Sequence, residues 1–289
     1  MRPRVIVVGD LMVDVSVEAG ALARGGDVHG EVRIRPGGTA ANVAVWAAAE
    51  GAEATVVGRV GDDPLGRMVA GALAERGVAP AITFDPEART GTMLVVHEAG
   101  ERSMVADRGA NSRLTPADLP ADMAVDAVLV SGYLIYAEGS ETAALAALER
   151  AAAPIVAVEA SSWPLLQAYG PDRFLAATSR ATLLLANERE AAVLFGAEPT
   201  RDPARLSGEG RRVAVKRGPD GATLVAAGEV IEVPAPAPVQ SVDPTGAGDA
   251  FDGVLVAALA AGSPIEEALQ RAVAAGSRVA ASGEPWPRP

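Results

Sequence analysis

Asp243–Asp249 reads D-P-T-G-A-G-D and runs directly into A-F-D-G-V-L-V-A-A-L-A-A (250–261), an apolar run of helical length. Glycines at 246 and 248 let the backbone turn with its N–H groups facing inward. The start of a helix adds further N–H groups and the positive end of its dipole. Gly246, Ala247 and Gly248 thus make a cradle for an anion such as a phosphate group. Asp249 stands at its mouth. A carboxylate there is electrostatically awkward unless it takes a proton from something attacking the phosphate. The plainer alternative is a Gly-rich turn with Asp249 as an ordinary helix cap.

Working outward, short apolar strands alternate with helices. Strands are expected at 5–9, 54–61, 127–132, 154–160, 183–186 and 211–218, and two more on a distal edge within 221–235. Helices are expected at 41–51, 64–77, 141–153, 187–196, 247–261 and 264–281. Thr115 and Asp118 suit another helix start. This pattern predicts an α/β fold, a three-layer sandwich whose mostly parallel sheet is covered on both faces. Two regions alternate apolar and polar residues instead, near 11–35 and 90–108, the second around an A-G-E turn. They fit neither face of that sheet and are assigned to one small β lid. The main domain is then 1–10, 36–89 and 109–289, with the lid inserted as 11–35 and 90–108. A lid with an open sheet edge offers a surface for a homodimer.

Composition sets outer limits. The 289 residues can build one large α/β domain or a domain plus a small appendage, and they are 49% apolar but only 3% aromatic, so the core must be mostly Ala, Val and Leu. A net charge of −12 argues against nucleic acid as a partner. Cysteine is absent, which removes disulfides, thiolate metal sites and cysteine nucleophiles. No uncharged stretch is long enough for a membrane span, and the first apolar run is too short for a signal-peptide core, so a soluble cytoplasmic protein is expected. Lys216 is the only lysine and no Gly-rich loop precedes it, so there is no Walker A lysine.

Other groups could carry chemistry. Asp14 lies five residues past the first strand, and Gly37-Gly38-Thr39-Ala40-Ala41-Asn42 opens a helix. A carboxylate, Gly amides and an Asn amide suit the hydroxyls of a polyol, or they are a surface acid and a helix start. Asp10 is a second acid in the same stretch. N-E-R-E at Asn187–Glu190 is a capping box by spacing. Lys216-Arg217-Gly218-Pro219-Asp220-Gly221 follows a strand as a turn. Asp243 and Thr245 suit an Asp-Pro turn. His29 and His97 are taken as surface residues. Arg108 either faces a substrate or is solvated, and Asn111 follows it.

In this order and placement, the motifs resemble those of the ribokinase-like (PfkB) carbohydrate kinases across the whole chain. The D-P-T-G-A-G-D run is the most specific of them. The resemblance implies an ATP- and Mg²⁺-dependent sugar kinase. Asp249 would be the base and Gly246–Gly248 the anion hole. Asp14, Gly37, Gly38 and Asn42 would hold the sugar with Asp249. Asn187, Lys216, Gly218, Gly221 and Gly248 would lie along the nucleotide, and Glu190 would act on Mg²⁺ through water. It also implies a K⁺ site using Asp243 and Thr245. Ribose, fructose and 2-keto-3-deoxygluconate all fit. Ser131 and Tyr133 are candidates for completing the sugar site from mid-chain. The alternatives are a nucleoside kinase, disfavoured because the lid regions contain no Phe, Tyr or Trp to stack on a base, and a non-catalytic sugar-binding relative. A dinucleotide oxidoreductase is remote, since no G-x-G-x-x-G follows the first strand.

Overall fold

The computed structural model describes residues 1–19, 22–23, 25–98, 101–196, 210–236 and 242–288. Strands and helices are numbered in chain order. Seven strands run parallel: β1 (Arg4–Val8), β4 (Glu53–Gly61), β5 (Ala79–Asp85), β8 (Ala127–Ser131), β9 (Ile155–Glu159), β10 (Leu183–Asn187) and β11 (Arg212–Lys216). Antiparallel β12 (Ala222–Ala226) and β13 (Glu229–Val233) extend one edge. The sheet order is β13-β12-β11-β10-β9-β8-β1-β4-β5. β8 and β9 are buried at every residue, as strands covered on both faces must be.

Two cores flank the sheet. One packs α1 (Thr39–Ala49), α2 (Pro64–Glu75), α8 (Ala247–Ala260) and α9 (Ile265–Ser282) against one face. The other packs α4 (Glu138–Arg150), α5 (Trp163–Tyr169), α6 (Pro171–Ala177) and α7 (Glu188–Phe195) against the opposite face, with the short α3 (Gly132–Ile135) beside them. Val, Ala and Leu dominate both, so close packing is reached with small side chains rather than rings. At Gly253 in α8 an added Cβ would fall 2.9 Å from the Trp46 Cβ. This glycine lets α1 and α8 approach closely, which brings Asn42 on one to Asp249 on the other.

The two alternating regions join in one separate sheet. It contains β2 (Met12–Ala19), β3 (Glu31–Gly37), β6 (Gly91–Glu98) and β7 (Glu101–Asp107), in the order β3-β2-β6-β7. β2 and β6 are parallel and the outer pairs antiparallel. Cross-strand register puts Asp14 opposite Arg35 and Ser16 opposite Arg33 on one face. Val15, Ile34, Leu94 and Val105 share the other face, where Ile34 and Val105 are 58% and 65% exposed. The first two residues of the A-G-E turn lie outside the described residues.

Some elements differ from expectation. Thr115 and Asp118 form a capping box, but it opens only a three-residue 3₁₀ turn, Pro116–Asp118, not a helix. β5 was unforeseen because it is an edge strand, where Pro80 can sit without breaking a ladder and little alternation survives. α5 and α6 have seven residues each, start with a proline in the first turn and are separated by Gly170, too short for a clear 3.6-residue period.

Candidate active site

The Gly-rich run begins α8 as expected, with one change in which amides face outward. Gly246 is the N-cap in the left-handed region (φ 81°), which favours glycine. The Ala247 amide donates to the Pro244 carbonyl at 3.0 Å and closes the turn. The first intrahelical bond is from Ala250 N–H to the Gly246 carbonyl, 2.9 Å. The Gly248 and Asp249 amides therefore lack intrahelical acceptors, and they, rather than that of Ala247, line the open helix end. Asp249 is in the first turn and does not cap α8, which has no side-chain cap among the described residues. By contrast, α2 and α7 are capped by Asp63 and Asn187.

Asp249 is half-buried and accepts a hydrogen bond from Asn42 Nδ2 at 2.7 Å. Burial, then the nearby Glu159 carboxylate, push its carboxyl up to about 7; the Asn42 bond and Lys216 pull the other way. A carboxyl balanced near neutrality is suited to accept a proton and later release it. The Asn42 carbonyl oxygen accepts from the Trp286 indole N–H at 2.7 Å. Asp14 on β2 is also half-buried, and burial, then Asp243, push its carboxyl up to about 6. Gly37 leaves room for the Asp14 carboxylate, since a Cβ there would meet all three of its terminal carbon and oxygen atoms. Gly38 (φ 93°) passes against the backbone of Asp10.

Below the cradle is a buried charge cluster. Lys216 Nζ lies 2.8 Å from Asp252 Oδ2 and 3.5 Å from Glu159 Oε1. A Cβ on Gly248 would be 3.3 Å from the same nitrogen. Burial opposes the lysine charge, but the carboxylates of Asp252, Glu159 and Glu190 outweigh it and hold Lys216 protonated. The ammonium group is thus ion-paired under the cradle floor rather than a free arm. Asp252 Oδ1 is buried without a hydrogen-bond partner among the described residues. Carboxylates outnumber the one cation here, but among the described residues no group of three or more His, Asp or Glu is placed to hold a metal ion by itself.

Asn187 and Glu190 form the complete capping box. Glu190 Oε2 accepts from the Asn187 amide at 2.8 Å, its Oε1 accepts from Asn187 Nδ2 at 2.7 Å, and Asn187 Oδ1 accepts from the Glu190 amide at 3.0 Å. Glu190 is buried, and burial pushes its carboxyl up against the opposing Lys216. Beside the cradle opens a mostly apolar cleft of about 420 Å³. Lys216, Gly218, Gly221, Gly248, Phe251 and Gly276 are among the residues lining it. Gly221 (φ 89°) packs so close to the Val233 carbonyl that a side chain has no room. The cleft and the uncapped helix end together fit a nucleotide, with base and ribose in the first and phosphates at the second. Asp243 Oδ1 accepts from the Thr245 amide at 2.9 Å and its hydroxyl at 2.7 Å, the expected turn.

Several candidates are drawn into other work. Arg108 grips Asp10 at 2.5 and 3.1 Å and the Tyr133 carbonyl at 2.9 Å, so both charges are used in joining backbone segments. Asn111 is buried and bonds the Leu11 amide and carbonyl, at 2.8 and 2.9 Å. Ser131 is fully buried with its hydroxyl 3.3 Å from that of Ser161. Burial, then Glu159, Asp249, Glu190 and Asp10, push the Tyr133 hydroxyl upward, which puts it among the site carboxylates. His29 is exposed; His97 lines a second, polar cleft under the small sheet with Arg33 and Arg35. Glu159, Asp252 and Trp286 went unrecognised. The signal for Glu159 was present, a lone acid ending the fully apolar strand V-A-V-E at the carboxyl edge of the sheet. Trp286 carried none.

A model of the pfkB family carbohydrate kinase matches residues 2–285. The chain is 32% identical over 281 residues to ribokinase of Bacillus subtilis (strain 168), covering 94% of this chain and 91% of that protein. It is 33% identical over 276 residues to fructokinase of Klebsiella pneumoniae, covering 90% and 86%. Among solved structures, a probable sugar kinase from Rhizobium etli CFN 42 superposes with a TM-score of 0.89 at 24% identity, over 100% of this chain and 96% of that one. A separate small sheet, a cradle at a helix start and these matches converge: the chain belongs to the pfkB family of carbohydrate kinases, ATP-using phosphotransferases that act on a sugar hydroxyl.

Proposed function

We propose that this kinase transfers the γ-phosphoryl group of ATP to a hydroxyl of a small sugar or sugar acid, of the ribose, fructose or 2-keto-3-deoxygluconate type. Asp249 accepts the hydroxyl proton. The single observation carrying this is Asp249 itself, held by Asn42 at 2.7 Å beside the uncapped start of α8. Asp14, the Gly37-Gly38 turn and Asn42 orient the sugar. The amides of Gly248 and Asp249 receive the negative charge that develops opposite the incoming oxygen. Gly218 and Gly221 leave the cleft open for the base and ribose. When bound, Mg²⁺ supplies charge neutralisation and alignment of the phosphates; Glu190 would hold it through water, and Asp243 with Thr245 would serve a K⁺ site. The inserted segments 11–35 and 90–108 act as a lid that excludes water from the reaction. The absence of aromatic side chains from the lid supports a sugar over a nucleoside. A coupled ATP-consumption screen over pentoses, ketohexoses, sugar acids and nucleosides, with and without K⁺, tests the reading. Turnover confined to nucleosides overturns it.

The Glu190→Gln variant separates metal from scaffold. It keeps an oxygen for the Asn187 amide but removes the charge, so the Mg²⁺ concentration for half-maximal rate should rise. An unchanged Mg²⁺ titration leaves Glu190 only its capping role. A homodimer through the lids is supported by the exposed apolar side chains of Ile34, Leu94 and Val105 on one face, since contiguous apolar patches mark contact surfaces. Sedimentation equilibrium should give a dimer for the wild type and a monomer for Ile34→Lys; a monomeric wild type refutes it.

A further inference from the structure

We propose that Trp286 is a positioning residue for the base: its indole N–H fixes the Asn42 amide so that the NH₂ group, and not the carbonyl, faces Asp249. The inference rests on Asp249 as the base and extends that reading to a residue outside every motif of the site.

The argument is one of donors and acceptors. An ionised carboxylate only accepts and an indole N–H only donates. Asn42 lies between them, with Nδ2 2.7 Å from Asp249 Oδ2 and Oδ1 2.7 Å from Trp286 Nε1. Only one orientation of the amide satisfies both partners. Asn42 is buried, 4% exposed, so water cannot readily replace either. Remove the indole donor and the buried carbonyl oxygen loses its partner. A flip of the amide then trades an N–H···⁻O contact for a carbonyl against a carboxylate, which is tolerable only if Asp249 is protonated.

Trp286 is itself held. Arg76 stacks over its ring, 5.4 Å to the centroid. Trp46 Nε1 donates to the Pro285 carbonyl at 2.8 Å. A Cβ on Gly246 would approach the Pro285 Cβ at 2.9 Å, so this segment also backs the cradle. Glu284 pairs with Arg35 of the small sheet at 3.0 Å. Two of the chain's three tryptophans are thus used to seat residues 283–287 against α1. The charged groups facing Asp249 are Glu159 at the end of β9, Lys216 at the end of β11, Asp14 on β2 and Asp252 on α8 itself. The indole N–H bonds to none of them, only to Asn42.

The test is Trp286→Phe, which keeps a ring for Arg76 and deletes the donor. Loss of one charge-assisted bond should move the acid limb of the kcat/KM profile up by about one pH unit. Near neutral pH kcat/KM should fall about five- to tenfold by the same shift, and the loss should close at alkaline pH. An unchanged profile, or a loss equal at every pH, overturns the proposal. Should the variant not fold, the wild type carries the test by NMR. The Trp286 indole N–H resonance should titrate with the midpoint of the acid limb and stop doing so in Asp249→Asn. A resonance flat over that range is equally fatal. The two readings fail separately. Turnover by Asp249→Asn removes the base whatever Trp286 does; an inactive Asp249→Asn beside a wild-type profile for Trp286→Phe removes only this inference.

Discussion

Asp249→Asn should lose phosphoryl transfer by roughly 10²–10⁴-fold, the contribution of a positioned general base, while nucleotide affinity changes little. The substitution is nearly isosteric. The new amide can still accept from Asn42 Nδ2 with its oxygen, and the Gly248 and residue-249 amides at the helix start are backbone groups that remain in place. What is lost is the capacity to take a proton. Coupled ATP consumption measures the first quantity and calorimetric nucleotide titration the second. In the wild type, activity should rise with pH through the region near 7 to which burial and Glu159 push this carboxyl, because only its ionised form accepts a proton. Near-normal turnover by the variant would transfer the role to another group. A collapse of nucleotide binding would mean that the charge shapes the cradle rather than the chemistry.

Lys216→Met should cost about 3–5 kcal/mol of stability, the range for removing one partner from a buried ion pair. The reason is what stays behind. Asp252 is fully buried and Glu159 is 7% exposed, and both would face one another without their cation. Burial already holds the Asp252 carboxyl well above its usual range against the pull of Lys216, and without the lysine it would rise further. A carboxyl so raised destabilises the fold at neutral pH and ceases to do so as the pH falls through the raised value. The deficit in urea midpoint between variant and wild type should therefore shrink on acidification. Adding Asp252→Leu should restore much of the stability, since an apolar replacement of the pair leaves less charge buried. A single variant as stable as the wild type, with no pH dependence to the difference, would refute this account of the cluster.

The parts of the site that were legible in the sequence are those where one backbone geometry admits few residue types. Gly246 and Gly38 have positive φ, and position 37 has no room for a side chain beside Asp14, so a glycine at each position carries information. The parallel sheet was legible because β8 and β9 are apolar throughout. Side-chain partners chosen across hundreds of residues were not. Arg108 pairs with Asp10, and Asn42 with Asp249 and Trp286, through folding that no local pattern encodes. Ala247 shows a subtler limit. The motif places three amides in a row, and only the turn geometry reveals that one of them is satisfied by Pro244.

The Asp10–Arg108 pair has a mechanical consequence. Asp10 immediately precedes the first excursion into the small sheet and Arg108 immediately follows the second, and the guanidinium also grips the Tyr133 carbonyl of the main body. The two inserted segments are thus pinned to a common pivot, and β2 pairs with β6 along its whole length. They should swing as a single leaf. Fluorescent reporters on β3 and β7 would record the same angle at the same moment when ligand arrives. Independent responses would show that the pivot is loose.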